Sequence, residues 1–146
     1  MKTFTVAIDI AASPARVFDV MTDVERWCEW TASIKQVRRL DSGSFGLGSR
    51  ALVRQPRFPP ALWTVMDLQP GREFTWVSRA PGLRVAGVHR AEPTAGGTRA
   101  TLAVEISGPF SDPWAWLTGA ITERYIGLEA AGLKARSEDP SFTPGA

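Results

Sequence analysis

Apolar and polar residues alternate over the first ten positions. Phe4, Val6, Ile8 and Ile10 fall on one side, and Thr3, Thr5, Ala7 and Asp9 on the other. That period of two predicts a half-buried strand. Ser13-Pro14 then supplies a helix start, with Ser as cap and Pro at the first helical position; Val17, Phe18 and Met21 form the apolar side. Asp23 is placed to cap a second short helix that carries Trp27 and Trp30. From residue 34 the pattern changes to short β-rich runs at 34–40, 49–55, 62–68, 73–79, 83–92 and 98–107. DSGSFGLG, QPRFPP, Pro70-Gly71, Pro81-Gly82 and PTAGG separate them. Connections this short permit only antiparallel neighbours, so these six strands form a meander, and the first strand joins one edge of it. Residues 111–137 read as one long helix. Ser111 or Asp112 is its expected cap, Pro113 lies in its first turn, and Trp114, Leu117, Ile121, Tyr125, Leu128 and Gly132 recur on one face.

The predicted architecture is α+β: seven antiparallel strands in a curved sheet, two short helices between strands one and two, and a long C-terminal helix over one face. Residues 1–137 make a single domain, and 138–146, with two prolines and a glycine, form a flexible tail. Alternation assigns an inward set that includes Val53, Gln55, Trp63, Val65, Phe74, Trp76, Ser78, Leu83, Val85, Gly87, His89, Leu102 and Ile106. It turns Arg50, Arg54, Arg79, Arg84, Arg90, Arg99 and Glu105 outward, which leaves most of the charge in water.

Composition narrows the chemistry. At 146 residues and 44% hydrophobic content the chain suits one globular domain. A net charge of +2, with arginines interleaved among acids and no stacking motif, argues against nucleic acid. The glycines of DSGSFGLG lack the GK[ST] and the strand-to-helix setting of a phosphate loop. Cys28 is the single cysteine and His89 the single histidine. No disulfide, zinc cluster, Ser/His/Asp set or Cys/His set can be assembled, and no metal or other cofactor is expected. No apolar run is long enough to span a membrane. Asp9 breaks the N-terminal run that imitates a signal peptide, so the expected location is cytoplasmic. Trp63, Phe74, Trp76 and Val85 would face a ligand, with Trp116 and Tyr125 from the final helix. Gln55, Ser78, His89 and Tyr125 supply the few polar groups that orient one. His89 is the one candidate general acid or base, and it reads equally well as a hydrogen-bonded core histidine.

The stretches IDIAASPARVFDVMTDVERWCEW, WTVMDLQPGREFTWVS and GGTRATLAVEISG, together with the final helix, resemble the START-like (SRPBCC) superfamily, in its polyketide cyclase/dehydrase and lipid transport branch. The resemblance implies a helix-grip, START/Bet v 1-like fold with an elongated cavity between sheet and C-terminal helix. It implies a small hydrophobic ligand such as a lipid or polyketide. The alternatives are a cyclase or dehydratase that uses His89, and a module that binds a protein partner. PRFPP, the Pro81-Gly82 turn and the Trp27–Trp30 segment are expected at the cavity rim.

Overall fold

The computed structural model describes residues 1–143. Strand β1 (Lys2–Ile10) is followed by helix α1 (Pro14–Thr22) and a 3-10 helix at Val24–Glu29. Strands β2 (Gln36–Arg39), β3 (Arg50–Arg54), β4 (Ala61–Gln69), β5 (Glu73–Ala80), β6 (Leu83–Thr94) and β7 (Gly97–Ser107) come next, then helix α2 (Ser111–Glu138). One seven-stranded sheet has the order β1-β7-β6-β5-β4-β3-β2, with every pairing antiparallel. The meander thus runs in chain order and β1 closes it beside β7. Ser13 caps α1 by accepting the Arg16 N–H, and Pro14 opens the helix. In the two Pro-Gly turns, Gly71 and Gly82 hold φ near 74° and 72°, the left-handed backbone that glycine adopts without a steric penalty.

One face of the sheet carries the core. Phe74, Ile10, Met21, Leu102 and Leu133 are among the fully buried side chains, and each such burial contributes about 1.5–3 kcal/mol. α2 packs against β1, β7 and α1. Over the middle strands it stands away from the sheet, and the gap there is the cavity described below.

Two expectations about α2 and its surroundings require correction. Its N-cap is Phe110, not Ser111 or Asp112; Ser111 is itself buried. The face turned to the sheet differs in part: of the expected stripe, Trp114 and Tyr125 border the cavity and Gly132 abuts Trp30. Ala115, Thr118, Thr122, Ile126, Ala130, Leu133 and Ser137 are buried, while Leu117 and Leu128 are exposed. Close seating against β1 and β7 favours small side chains there, whereas Trp114 and Tyr125 stand where the helix leaves the sheet. The end of α2 and the residues after it also make side-chain contacts. Glu138 accepts from Lys134 and from the Ala11 N–H, and the Phe142 ring lies beneath the guanidiniums of Arg16, Arg26 and Arg136 at 5.8, 4.7 and 4.3 Å. Attraction between these cations and the ring anchors the segment. Residues 144–146 of that tail lie outside the described residues.

Candidate functional site

β3 to β7 and α2 enclose a cavity of about 520 Å³. The strands reach it through their inward alternation: Val53 and Gln55, Trp63, Trp76 and Ser78, Val85 and His89, and Leu102 and Ile106 all line it. Gly87 lies opposite Trp76 in the β5–β6 register, and a Cβ there would come within 3.0 Å of the Trp76 Nε1. The missing side chain is what lets the indole lie across the strand. From α2 come Trp114, Thr122, Tyr125, Ile126 and Glu129. Exposed Pro59, Pro60, Arg79 and Ala80 also border the space and mark its mouth, whereas buried Trp27 and Ile34 mark its inner end.

The inner end is built around His89. Phe74 lies parallel to its ring at 4.4 Å, and Trp27 and Trp76 sit at 5.2 and 6.1 Å. Its Nε2 lies 3.1 Å from Oε1 of Glu129, with the two side chains 6% and 15% exposed. A glutamate carboxylate accepts only, so Nε2 carries the proton in this contact. The pair connects the sixth strand to α2 across the cavity.

The mouth is built from the segment after β3. Tyr125 donates its hydroxyl to the Pro56 carbonyl. Phe58 packs on Trp114 and Tyr125 at 6.2 and 5.9 Å. Between them, Arg57 has φ 67°, the only positive φ at a non-glycine among the described residues. The neighbouring turn is fastened too, since the Phe110 N–H donates to the Gly82 carbonyl.

This geometry can be set beside known proteins. Residues 1–138 match the family model described as polyketide cyclase / dehydrase and lipid transport. The chain belongs to that family. No curated protein is significantly similar to it in sequence. Among solved structures, this family member is similar to the ZhuI aromatase/cyclase from Streptomyces sp. R1128, with a TM-score of 0.76 at 18% identity over 94% of this chain and 93% of that one. TTHA0849 from Thermus thermophilus also scores 0.76, at 16% identity over 97% and 100% of the two chains. Ara h 8.0201 scores 0.67 at 14% identity over 93% and 97%. These likenesses show the shared fold, the helix-grip arrangement of curved sheet and long helix.

Of the residues singled out in the sequence, Gln55, Trp63, Trp76, Ser78, Val85, His89 and Tyr125 are brought together on the cavity wall of this polyketide cyclase/dehydrase family member. Phe74 and Trp116 are not. Phe74 is fully buried and lies behind the wall, against His89 and Phe45. Trp116 is 87% exposed, because two residues along a helix from Trp114 turn a side chain through about 200°. Trp27 is expected at the rim and is instead an inner wall residue that donates its indole N–H to the Met21 carbonyl. Arg79 borders the mouth despite its outward alternation. Glu129 is the residue the sequence reading missed. One signal for it existed: it lies four residues after Tyr125, and such pairs share a helix face. Among the described residues no helix is long and apolar enough to cross a membrane, and no cluster of three potential metal ligands occurs.

Proposed function

We propose that this protein binds a small, mostly apolar ligand in the cavity between the sheet and α2. The cavity itself carries the reading. Its size lies in the range of about 300–1,000 Å³ usual for small-molecule sites, and an aromatic and aliphatic wall with few polar groups is the composition such sites have. Family membership supports it. Gln55, Trp63, Trp76, Ser78, Val85, His89 and Tyr125 are the contact residues in this reading, and Phe74 supports His89 from behind.

The His89–Glu129 pair favours a second reading, an enzyme of cyclase or dehydratase type. Glu129 would fix the imidazole, and His89 would accept or deliver a proton on a substrate that the walls hold in a reactive fold. The ZhuI aromatase/cyclase shares the fold. One experiment addresses both readings. An environment-sensitive apolar dye titrated into the protein should bind one to one and quench tryptophan fluorescence, and Val85→Trp, which fills the cavity, should abolish binding. A dye that binds the Val85→Trp protein equally well would defeat the binding reading. With a substrate that is turned over, Glu129→Gln should lower kcat by about 10²-fold or more; unchanged kcat would remove the pair from the chemistry and leave binding alone.

A further inference from the structure

The strand directions gather one end of the fold around the cavity mouth. There β1, β4 and β6 begin, β3, β5 and β7 end, and α2 starts beside the Pro81-Gly82 turn, where the Phe110 ring covers Gly82. The charged residues at these ends are Lys2, Lys35, Arg54, Arg57, Arg79 and Arg84, against Asp112, which lies 4.0 Å from Lys2. Glu105 and Glu123, the next acids inward, do not change the sign. The whole chain carries only +2, so the rest of the surface is net acidic. Arg79 and Arg84 are direct cross-strand partners, an arrangement that repels. Neither they nor Lys35, Arg54 and Arg57 have an ion-pair partner among the described residues.

Beside these cations the first turns of α2 hold apolar side chains in water. Phe110, Trp116 and Leu117 are 58%, 87% and 70% exposed, and Pro113 is exposed as well. Pro113 precedes Trp116 by three residues and Leu117 by four, so the three are neighbours on the helix surface. Large apolar side chains exposed together mark an interaction surface.

A bilayer with anionic headgroups meets both needs at once. Its phosphates pair the basic side chains, and its headgroup boundary takes the apolar ones. Tryptophan favours that boundary, since its ring is apolar with one polar tip. The cations come from separate segments spread round the mouth and not from one groove. A broad anionic surface reaches them together, whereas a single acidic peptide reaches a few.

We infer that the mouth end of the molecule docks on an anionic lipid bilayer, with Phe110, Trp116 and Leu117 at the headgroup boundary and the basic residues against the phosphates. The cavity then opens toward the membrane. This goes beyond the binding reading and stands without it.

The test is co-sedimentation with sucrose-loaded vesicles, of phosphatidylcholine alone and of equimolar phosphatidylcholine and phosphatidylglycerol. The anionic vesicles should bind about tenfold or more tightly than the neutral ones, and added salt should weaken that binding. Trp116→Ser combined with Leu117→Ser should lower anionic-vesicle binding by about tenfold or more, and Arg57→Gln combined with Arg84→Gln by a similar factor. Both double variants should keep a cooperative melt. Anionic vesicles with brominated acyl chains should quench the unaltered protein and quench Trp116→Phe much less. If a double variant fails to fold, the two lipid compositions and the quenching still decide. Equal binding to both compositions, or to neither, would overturn the inference and leave the cavity reading standing, because the dye titration reads the cavity by itself. Binding that needs the arginines but not Trp116 and Leu117, or poly-glutamate bound as tightly as the anionic vesicles, would reduce the contact to surface charge and overturn it. A dimer that Trp116→Ser dissolves, without vesicle binding, would assign the patch to a second copy and overturn it as well.

Discussion

At the scale of single residues, the clearest constraint is Gly132. A Cβ there would run into the carbonyl oxygen of Trp30, so the backbones of α2 and the segment after the 3-10 helix touch directly. Gly127, five residues earlier on the same helix, has open space around it. In an unconstrained helix Gly→Ala stabilises by up to about 1 kcal/mol, because alanine loses less backbone freedom on folding. Gly127→Ala should show that gain. Gly132→Ala should instead destabilise by about 1–3 kcal/mol, the usual range for overpacking. Urea denaturation of the two variants checks the opposite signs, and a gain at position 132 would show that the contact is not a constraint. Trp116 teaches the reverse lesson: a large aromatic at helical spacing, which the sequence offers as a ligand contact, lies in solvent.

At the scale of elements, α2 is held on one side by β1 and β7 and on the other by what spans the cavity. The spanning contacts are His89 with Glu129 and Tyr125 with the Pro56 carbonyl. The segment from Gln55 to Pro60 contains three prolines and one strained residue, Arg57, so it has few backbone bonds of its own. Tyr125→Phe removes the single hydroxyl that fastens it to α2 while Phe58 can still pack. Hydrogen exchange of residues 57 and 58 should then quicken, with β5 and β6 unchanged, because local opening follows the least supported segments. Exchange that stays at the unaltered rate would show that packing, and not the hydroxyl, holds the mouth.

At the scale of the whole molecule, surface ion pairs join β7 to β1, α2 to the 3-10 helix, and two residues of the last turns of α2. Arg99 bonds Asp9, Arg136 bonds Glu29, and Lys134 bonds Glu138, and each of these partners lowers the pKa of its carboxyl group below the ordinary value of 3.8 or 4.5. Asp41 is lowered mainly by the Arg50 N–H and then by Arg39. A lowered folded-state value means the unfolded chain binds more protons in acid. The stability these groups add is present above the ordinary values and is lost as pH falls below 4.5 toward the folded-state values. The urea midpoint should therefore decline in that window. Added salt should reduce the decline, because exposed pairs are screened. A midpoint that holds or rises on acidification would contradict this.

Local pattern determined a large part of this protein. Strict alternation located β1 and the inward faces of β3 to β7; short turns forced antiparallel neighbours; Ser13-Pro14 started α1 and a long helical run set α2. Each of these depends on neighbours in the chain, which is why a sequence displays them. The inner face of α2 does not. Its stripes of Trp and Leu and of Ala and Thr both repeat at helical spacing, and close approach to β1 and β7 chose the small one. Trp116 lies about 200° round the helix from Trp114 and falls in water, while Glu129, on the side of Tyr125, meets His89, a pair 40 residues apart. The cavity, the His89–Glu129 pair and the clasp at Tyr125 exist only because distant segments meet. Only the tertiary structure could decide them.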